Sequence, residues 1–172
     1  MTLITTRLTS PSYYCVMKKL TLSKFITAAL ILFAAAAITV KFYEPDFEED
    51  SENGIHFYKG SFRDAVEQAR NENKLIFMDV YATWCGPCKM LKMHTFSSEN
   101  AGEYFNERFV NISIDGEKGT GVKIAKKYGV EAYPSLFIID PVTLEALETS
   151  TGYKTPGQLI SFADKQLKTE SL

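Results

Sequence analysis

Residues 75–88 have the sequence LIFMDVYATWCGPC, an apolar run that ends in a pair of cysteines. The run itself, residues 75–81, is nearly continuous, which is typical of a central strand covered on both faces of a sheet. Cys85 and Cys88 follow with two residues between them. Pro87 suits the first turn of a helix, where its missing N–H leaves no hydrogen bond unmade. The stretch therefore predicts a buried strand leading directly into a helix that has the cysteine pair at its start.

The hydrophobic spacing on either side of this stretch predicts the other elements of a folded domain. Residues 55–58 are a short apolar run expected to form an edge strand, and Ser61 is expected to cap the helix that follows. The resulting order β-α-β-α-β-α-β-β-α predicts an α/β domain with a mixed sheet and helices on both faces. Further helices are expected over residues 98–108 and 122–128 and from residue 155 onward, and further strands over residues 109–114, 135–139 and 145–149.

A Cys-x-x-Cys pair at the start of a helix is suited to disulfide exchange. The thiolate is the nucleophile in that reaction, and the free N–H groups and dipole at a helix N-terminus stabilise its negative charge. We expect Cys85 to be the more exposed, attacking sulfur. Cys88, one turn further in, would resolve the mixed disulfide, and the spacer Gly86-Pro87 would stiffen the loop and so affect the redox poise.

Two other interpretations of the pair are a zinc site and a purely structural disulfide. Zinc would need two more ligands, and the sequence offers only His56 and His94, with no second Cys-x-x-Cys. His94 is expected on the same helix as Cys88, from which it could not easily swing back. A structural disulfide closing so short a loop would add little stability. The sequence therefore favours a redox pair that works without a metal or a bound cofactor.

The N-terminus resembles a secretory signal. Basic residues precede an uncharged run, residues 25–40, with the sequence FITAALILFAAAAITV, and small residues near its end allow cleavage after Ala37. We expect a signal peptide or a membrane anchor over residues 17–40, and residues 1–16 as a possible over-extended start. The run is at the short edge for a membrane span, and a buried cytosolic helix is the third alternative. Signal or anchor would put the domain outside the cytoplasm, in the periplasm, either soluble or tethered to the inner membrane through this N-terminus.

Charge is distributed unevenly along the chain. Four of the 19 basic residues precede Ile38, whereas none of the 21 acidic residues does, so the remainder is acidic overall. Six of the nine residues 44–52 are acidic, which predicts a solvated linker over residues 41–53 before a folded domain at residues 54–172. An acidic domain is a poor candidate for nucleic-acid binding, because that affinity comes largely from neutralising phosphates.

Residues 84–89, WCGPCK, resemble the active-site motif of the thioredoxin-like superfamily. The preceding strand with Asp79 and the later YPS at residues 133–135 lie where that family has them. Residues 95–108 look more like the C-terminal thioredoxin-like domain of bacterial thiol:disulfide interchange reductases than like cytosolic thioredoxin. The resemblance covers about residues 54–167 and implies a thioredoxin fold, here with an additional N-terminal apolar helix.

The resemblance assigns a catalytic role to Asp79 as the buried acid beneath the second cysteine. Burial in an apolar strand should raise its pKa, so that Asp79 could accept or return the proton of Cys88. The alternative is a carboxylate at a strand end with a solvated partner. Two positions depart from the family: Asn111 stands in place of a lysine that pairs with the acid, and Met93 replaces a proline that kinks the helix, which is then expected to bend differently or to break near Thr95.

The other implied site residues would contact clients. Pro134 matches the cis-proline that faces the cysteine pair, and the backbone of Tyr133 before it would pair with a client strand. Trp84 matches an aromatic that shields the motif and offers a client contact, with plain packing as its alternative. Gly86 and Pro87 would form the adjoining surface of the motif.

The implied activity is that of an exported thiol–disulfide oxidoreductase acting on client proteins. The Gly-Pro spacer resembles reducing members, so we expect a reductase that is re-reduced by a membrane thiol donor or another redox partner. The direction of electron flow stays open, because poise depends on the relative stability of two states. The alternative is a non-catalytic module that binds peptides or assists assembly, although such modules often lose one cysteine of the pair.

Overall fold

A computed structural model describes residues 11–42 and 45–170, and the chain divides into two compact units at residue 44. In the first unit, helix α1 (Pro11–Phe42) contains the predicted apolar segment. Within the described ranges, no helix combines the length and apolarity needed to cross a membrane. Residues 1–10 of the expected over-extended start lie outside the described residues, and the signal or anchor stays a prediction.

The second unit has the predicted α/β architecture. Its sheet has the order β2-β1-β3-β4, in which β1 is parallel to β2 and antiparallel to β3, and β3 is antiparallel to β4. The elements in chain order are α2 (Phe62–Glu72), β1 (Leu75–Tyr81), α3 (Gly86–Met90), a π-helical segment (Leu91–Phe96), α4 (Glu99–Arg108), β2 (Phe109–Asp115), α5 (Gly121–Lys127), β3 (Ser135–Ile139), β4 (Ala146–Thr151) and α6 (Pro156–Glu170).

The residues at the two ends of helix α2 account for where it begins and where it ends. The Ser61 hydroxyl accepts a hydrogen bond from Asp64 N, and the Asp64 carboxylate accepts one from Ser61 N, which completes a capping box. Asn73 ends the helix in the left-handed region at φ 52°, a conformation that asparagine tolerates better than most residues.

Alternation along β1 directs its side chains to two separate cores. Phe77 faces a cluster that includes Leu91, Phe96 and Phe105, from the helical segments after the cysteine pair. Met78, on the opposite face, packs in a second cluster with side chains of α2 and α5. Because both faces are covered, all seven residues of β1 are buried, and the sheet can support a site at the end of this strand.

The prediction of an edge strand at residues 55–58 is wrong. Ile55 N donates to Phe96 O and Tyr58 N donates to Asn111 O, both at 2.7 Å, so the two ends of the run bond to different elements. Between them, His56 N donates to the side chain of Asn106. A ladder therefore does not form, although Ile55 and Phe57 are buried.

The predicted linker is not solvated throughout. Phe47 stacks on Tyr81 with ring centroids 4.2 Å apart and planes 6° from parallel. Asp50 forms ion pairs with Lys59 and Lys92. Residues 45–50 therefore pack on the folded unit, and we call them the strap. The strongly acidic composition predicted solvation, whereas two residues of this segment, Phe47 and Asp50, bind it to the domain.

The helix after the cysteine pair changes its winding at Leu91. Residues Leu91–Phe96 are π-helical and include Met93, where the family proline is missing. Thr95, at which a break was expected, is buried and donates its hydroxyl to Lys154 O at 2.5 Å. The helix thus continues past Met93 with a local widening, and it ends at Phe96 before Ser98 starts α4.

Candidate active site

Cys85 and Cys88 are joined as a disulfide at the N-terminus of α3, with their Cα atoms 5.3 Å apart. Cys85 is the N-cap residue, and its Sγ accepts a 3.1 Å hydrogen bond from Cys88 N. After reduction, the same N–H is placed to stabilise a thiolate on Cys85. Each cysteine residue is 2% exposed, so the expected difference in exposure is absent in this oxidised form. The predicted difference in role between the two sulfurs therefore depends on their positions, Cys85 at the N-cap and Cys88 inside the first turn.

Aromatic side chains surround the disulfide. The two cysteines pack in one cluster with Tyr81 and Ala82, against which Phe47 and Tyr133 are placed. The cysteine pair thus lies in an apolar setting bounded by the sheet end on one side and the strap on another.

Trp84 projects from this cluster into solvent. It is 68% exposed, its ring meets that of Tyr133 edge-on at 6.1 Å, and its Nε1 donates to Glu117 Oε2 at 2.9 Å. An indole so exposed is buried only in small part against its neighbours, so much of its surface is open to solvent. Gly86 and Pro87, the two residues between the cysteines, are exposed next to it.

The peptide bond between Tyr133 and Pro134 is cis, as the resemblance implied. Pro134 O accepts a 2.9 Å hydrogen bond from Gly152 N, whereas the backbone of Tyr133 forms no hydrogen bond within residues 45–170. Because β3 begins at Ser135, the free backbone groups of Tyr133 extend the direction of that strand. They are available to a peptide in extended conformation.

Asp79 lies inside β1 and is 2% exposed, so it is not a solvated carboxylate at a strand end. Burial raises its pKa from 3.8 to about 7, against the hydrogen bond from Ser113 and the positive charge of Lys92, which both lower it. Ser113 Oγ donates to Asp79 Oδ2 at 3.0 Å, and Oδ1 has no partner in the part of the chain described. A carboxyl that titrates near neutral pH is suited to proton transfer.

Within residues 45–170, no hydrogen bond joins Asn111 to Asp79. It pairs with Phe77 in the β1–β2 register, and its amide donates to His56 O and to Asn106 Oδ1, each at 3.2 Å. Asn111 carries no charge, so it does not supply the positive charge that the lysine in the resemblance would supply to the acid. Lys92 in the π-helical segment supplies a positive charge from a different element.

The histidines do not form a metal site with the cysteines. His56 Nε2 lies 3.2 Å from Glu52 O, and His94 is exposed on the π-helical segment. Over the described ranges, no group of three or more His, Cys, Asp or Glu side chains is arranged to hold a metal ion.

Comparison with known protein families matches residues 54–165 to the thioredoxin family. The chain belongs to the thioredoxin family. Residues 54–165 accordingly form a thioredoxin-family domain that contains the Cys-x-x-Cys pair. A thioredoxin of Echinococcus granulosus is 38% identical over 77 residues, which cover 44% of this chain and 64% of the relative. A thioredoxin of Bacillus subtilis (strain 168) is 31% identical over 101 residues, covering 58% of this chain and 88% of the relative.

Solved structures with the same fold include two of bacterial origin. A protein of Bacteroides thetaiotaomicron described as a candidate disulphide-isomerase is 40% identical, with a TM-score of 0.58, over 67% of this chain and 93% of that chain. The oxidised C-terminal domain of DsbD from Neisseria meningitidis is 21% identical, with a TM-score of 0.53, over 64% of this chain and 97% of that domain. The second likeness concerns the fold alone.

Four residues near the site were missed by the sequence interpretation: Phe47, Lys92, Ser113 and Glu117. The position of Ser113 could have been found from the sequence. The parallel strands β1 and β2 end side by side, at Tyr81 and Asp115, so Asp79 and Ser113, each two residues before the end of its strand, lie next to each other. The other three reach the site through tertiary packing, which no local pattern in the sequence specifies.

Proposed function

We propose that this chain is an exported protein-disulfide reductase. The observation that carries the proposal is the position of the Cys85–Cys88 disulfide at the N-terminus of α3, beside the free backbone of Tyr133. This arrangement lets a client strand bind next to a sulfur that is activated when reduced.

The reaction proceeds from the reduced pair. The Cys85 thiolate attacks one sulfur of a client disulfide, forming a mixed disulfide and releasing the other client sulfur as a thiolate. The Cys88 sulfur, after losing its proton, attacks Cys85 Sγ and expels the second client thiolate. Two electrons pass to the client, and the pair returns to the disulfide. Asp79, whose pKa is raised to about 7 mainly by burial, acts as acceptor for the Cys88 proton.

Export is supported by the basic residues and the uncharged run of residues 25–40. In an oxidising compartment the pair would need re-reduction, for which a membrane thiol donor is the expected partner. Fusing residues 1–53 to alkaline phosphatase, which is active only outside the cytoplasm, tests this part. Inactive fusions would contradict export and leave the redox chemistry untouched.

Reduction potential tests the direction of electron flow. A value nearer to that of thioredoxin, about −270 mV, than to that of DsbA, about −120 mV, is expected for a reductase. Insulin reduction by the wild type, with dithiothreitol as electron donor, should be lost in Cys85→Ser. Equal activity of both proteins would instead support the non-catalytic binding module.

Isomerase activity is the second candidate, because the similar Bacteroides thetaiotaomicron protein is described as a candidate disulphide-isomerase. Isomerisation needs attack by Cys85 but can be completed by a thiol of the client. Reactivation of scrambled ribonuclease by Cys88→Ala would therefore favour an isomerase, whereas loss of activity in this variant favours a reductase.

A further inference from the structure

The strap brings acidic side chains to the rim of the cysteine pair. Phe47 is half-buried against Tyr81 and the cysteine cluster, whereas Asp46 and Glu48 on either side of it are exposed. Phe47 points toward the domain, whereas the residues before and after it point outward, so the carboxylates of Asp46 and Glu48 lie in solvent beside the site. Burial is the main cause that raises the pKa of Tyr81 to about 12, followed by the charges of Asp115 and Asp79. Glu48 and Asp46 make smaller contributions in the same direction, which agrees with their proximity to this ring.

The strap is fixed to the domain by Asp50. Its carboxylate accepts a 2.9 Å hydrogen bond from Phe57 N and forms ion pairs with Lys59 at 3.1 Å and Lys92 at 3.3 Å. Lys59 Nζ also donates to Glu48 O. The positive charge of Lys92 is thereby paired with Asp50, and it does not offset the exposed carboxylates of the strap.

A third carboxylate flanks the site from the loop after β2. Glu117 is exposed and accepts the indole N–H of Trp84, the residue before Cys85. Lys118, the next residue, is paired with Asp115 at 3.0 Å. On α3 itself Lys89 is half-buried and provides an opposing charge. Carboxylates on two separate segments, the strap and the loop after β2, therefore lie near the aromatic cluster of the redox pair.

We infer that Asp46, Glu48 and Glu117 select clients whose disulfide is flanked by lysine or arginine side chains. This inference rests on the proposed function and names the substrate class for the same site. An arginine or lysine of the client can lay its stem and charge on the exposed indole of Trp84 while it pairs with Glu117. The carboxylates of the strap attract a second basic residue of the client and speed the encounter.

The test compares two disulfide-linked peptides with the same core, one flanked by lysine and arginine and the other by glutamate. The second-order rate of their reduction by the pre-reduced full chain is measured at low salt and in 0.5 M NaCl. At low salt the wild type should reduce the basic peptide about tenfold faster, and salt should cut this preference to about twofold because it screens exposed charges.

The triple variant Asp46→Asn, Glu48→Gln, Glu117→Gln should lower the preference to about twofold or less at low salt, whereas Glu103→Gln, an exposed acid on α4, should keep it. Equal rates for both peptides with the wild type, or a preference that survives the triple variant, would overturn the inference. Failure to reduce either peptide would instead refute the proposed function, so the two outcomes are distinguishable.

Discussion

Ser113 Oγ donates a 3.0 Å hydrogen bond to Asp79 Oδ2, and it does so across a directly paired position of β1 and β2. The contact joins two strands through the carboxyl that we assign to proton transfer. It stabilises the charged form of Asp79, whereas burial disfavours it. The balance of the two leaves the carboxyl able to change its charge near neutral pH.

Replacing Ser113 by alanine should raise the pKa of Asp79 further above its wild-type value of about 7. The hydroxyl favours the carboxylate, so its loss leaves burial less opposed. A pH titration of the Asp79 carboxyl carbon by NMR, in the oxidised protein, measures the change. Ser161→Ala, on the exposed face of α6, is the control and should leave the titration in place. An unchanged Asp79 pKa in Ser113→Ala would show that the hydrogen bond does not influence the charge.

The stability of the oxidised protein should fall as pH rises from about 4 to about 7. Unfolded Asp79 ionises near pH 3.9, whereas the folded carboxyl keeps its proton up to about pH 7, so the unfolded state binds fewer protons over this window. The difference between the folded and unfolded pKa values of Asp79 corresponds to a decrease in the free energy of unfolding on the order of 4 kcal/mol. Asp79→Asn should remove this loss and be the more stable protein at pH 8.

Urea unfolding of the oxidised wild type and Asp79→Asn at pH 5 and pH 8 checks that sign. Glu67→Gln, an exposed acid on α2, should follow the wild type at both values. If Asp79→Asn loses as much stability as the wild type between the two pH values, the carboxyl is not the source of the dependence.

Lys92→Met should also raise the pKa of Asp79, and with it the pH at which Cys88 is deprotonated efficiently. The positive charge of Lys92 lowers the pKa of this carboxyl, and its side chain is only 10% exposed, so solvent screens it weakly. The rate of insulin reduction as a function of pH should shift to higher pH.

Lys59→Met is the matched control for that change. Lys59 pairs with the same Asp50 carboxylate, but its charge is not among those that shift the pKa of Asp79. The profile of this variant should coincide with that of the wild type. A shift of equal size in both variants would assign the effect to the loss of strap docking rather than to the charge of Lys92.

Much of the domain could be predicted because its core strands are apolar runs of strand length. β1 and β3 have the bounds expected from residues 75–81 and 135–139, and the cysteine pair begins a helix as predicted. These features depend on local sequence, where burial on both faces and the capping position leave a direct pattern.

The remaining features depend on which partner a segment meets. Residues 55–58 are as apolar as a strand, but their hydrogen bonds go to Phe96, Asn106 and Asn111 rather than to one neighbouring strand. Similarly, the acidic composition around Phe47 predicts solvation, whereas the contacts of Phe47 with Tyr81 and of Asp50 with Lys59 and Lys92 show where the strap docks. Composition describes the average of a segment, whereas docking can depend on one or two side chains.

Phe47→Ala should lower the free energy of unfolding by about 1–2 kcal/mol, because it removes an aromatic stack and part of a buried apolar contact. The ring lies 4.2 Å from that of Tyr81 and packs beside the cysteine cluster. Val142→Ala, at a side chain that is 73% exposed, is the control for loss of an apolar group and should change stability by less than about 0.5 kcal/mol. Urea unfolding of the oxidised proteins gives both values.

A glutamate-specific protease provides a second measurement of the docking of the strap, because Glu48 and Glu49 are exposed in it. Cleavage there should be faster in Phe47→Ala than in the wild type, since a strap released from Tyr81 can enter the active site of a protease more readily. If Phe47→Ala is cleaved at the rate of the wild type and is as stable as Val142→Ala, Phe47 does not hold the strap on the domain.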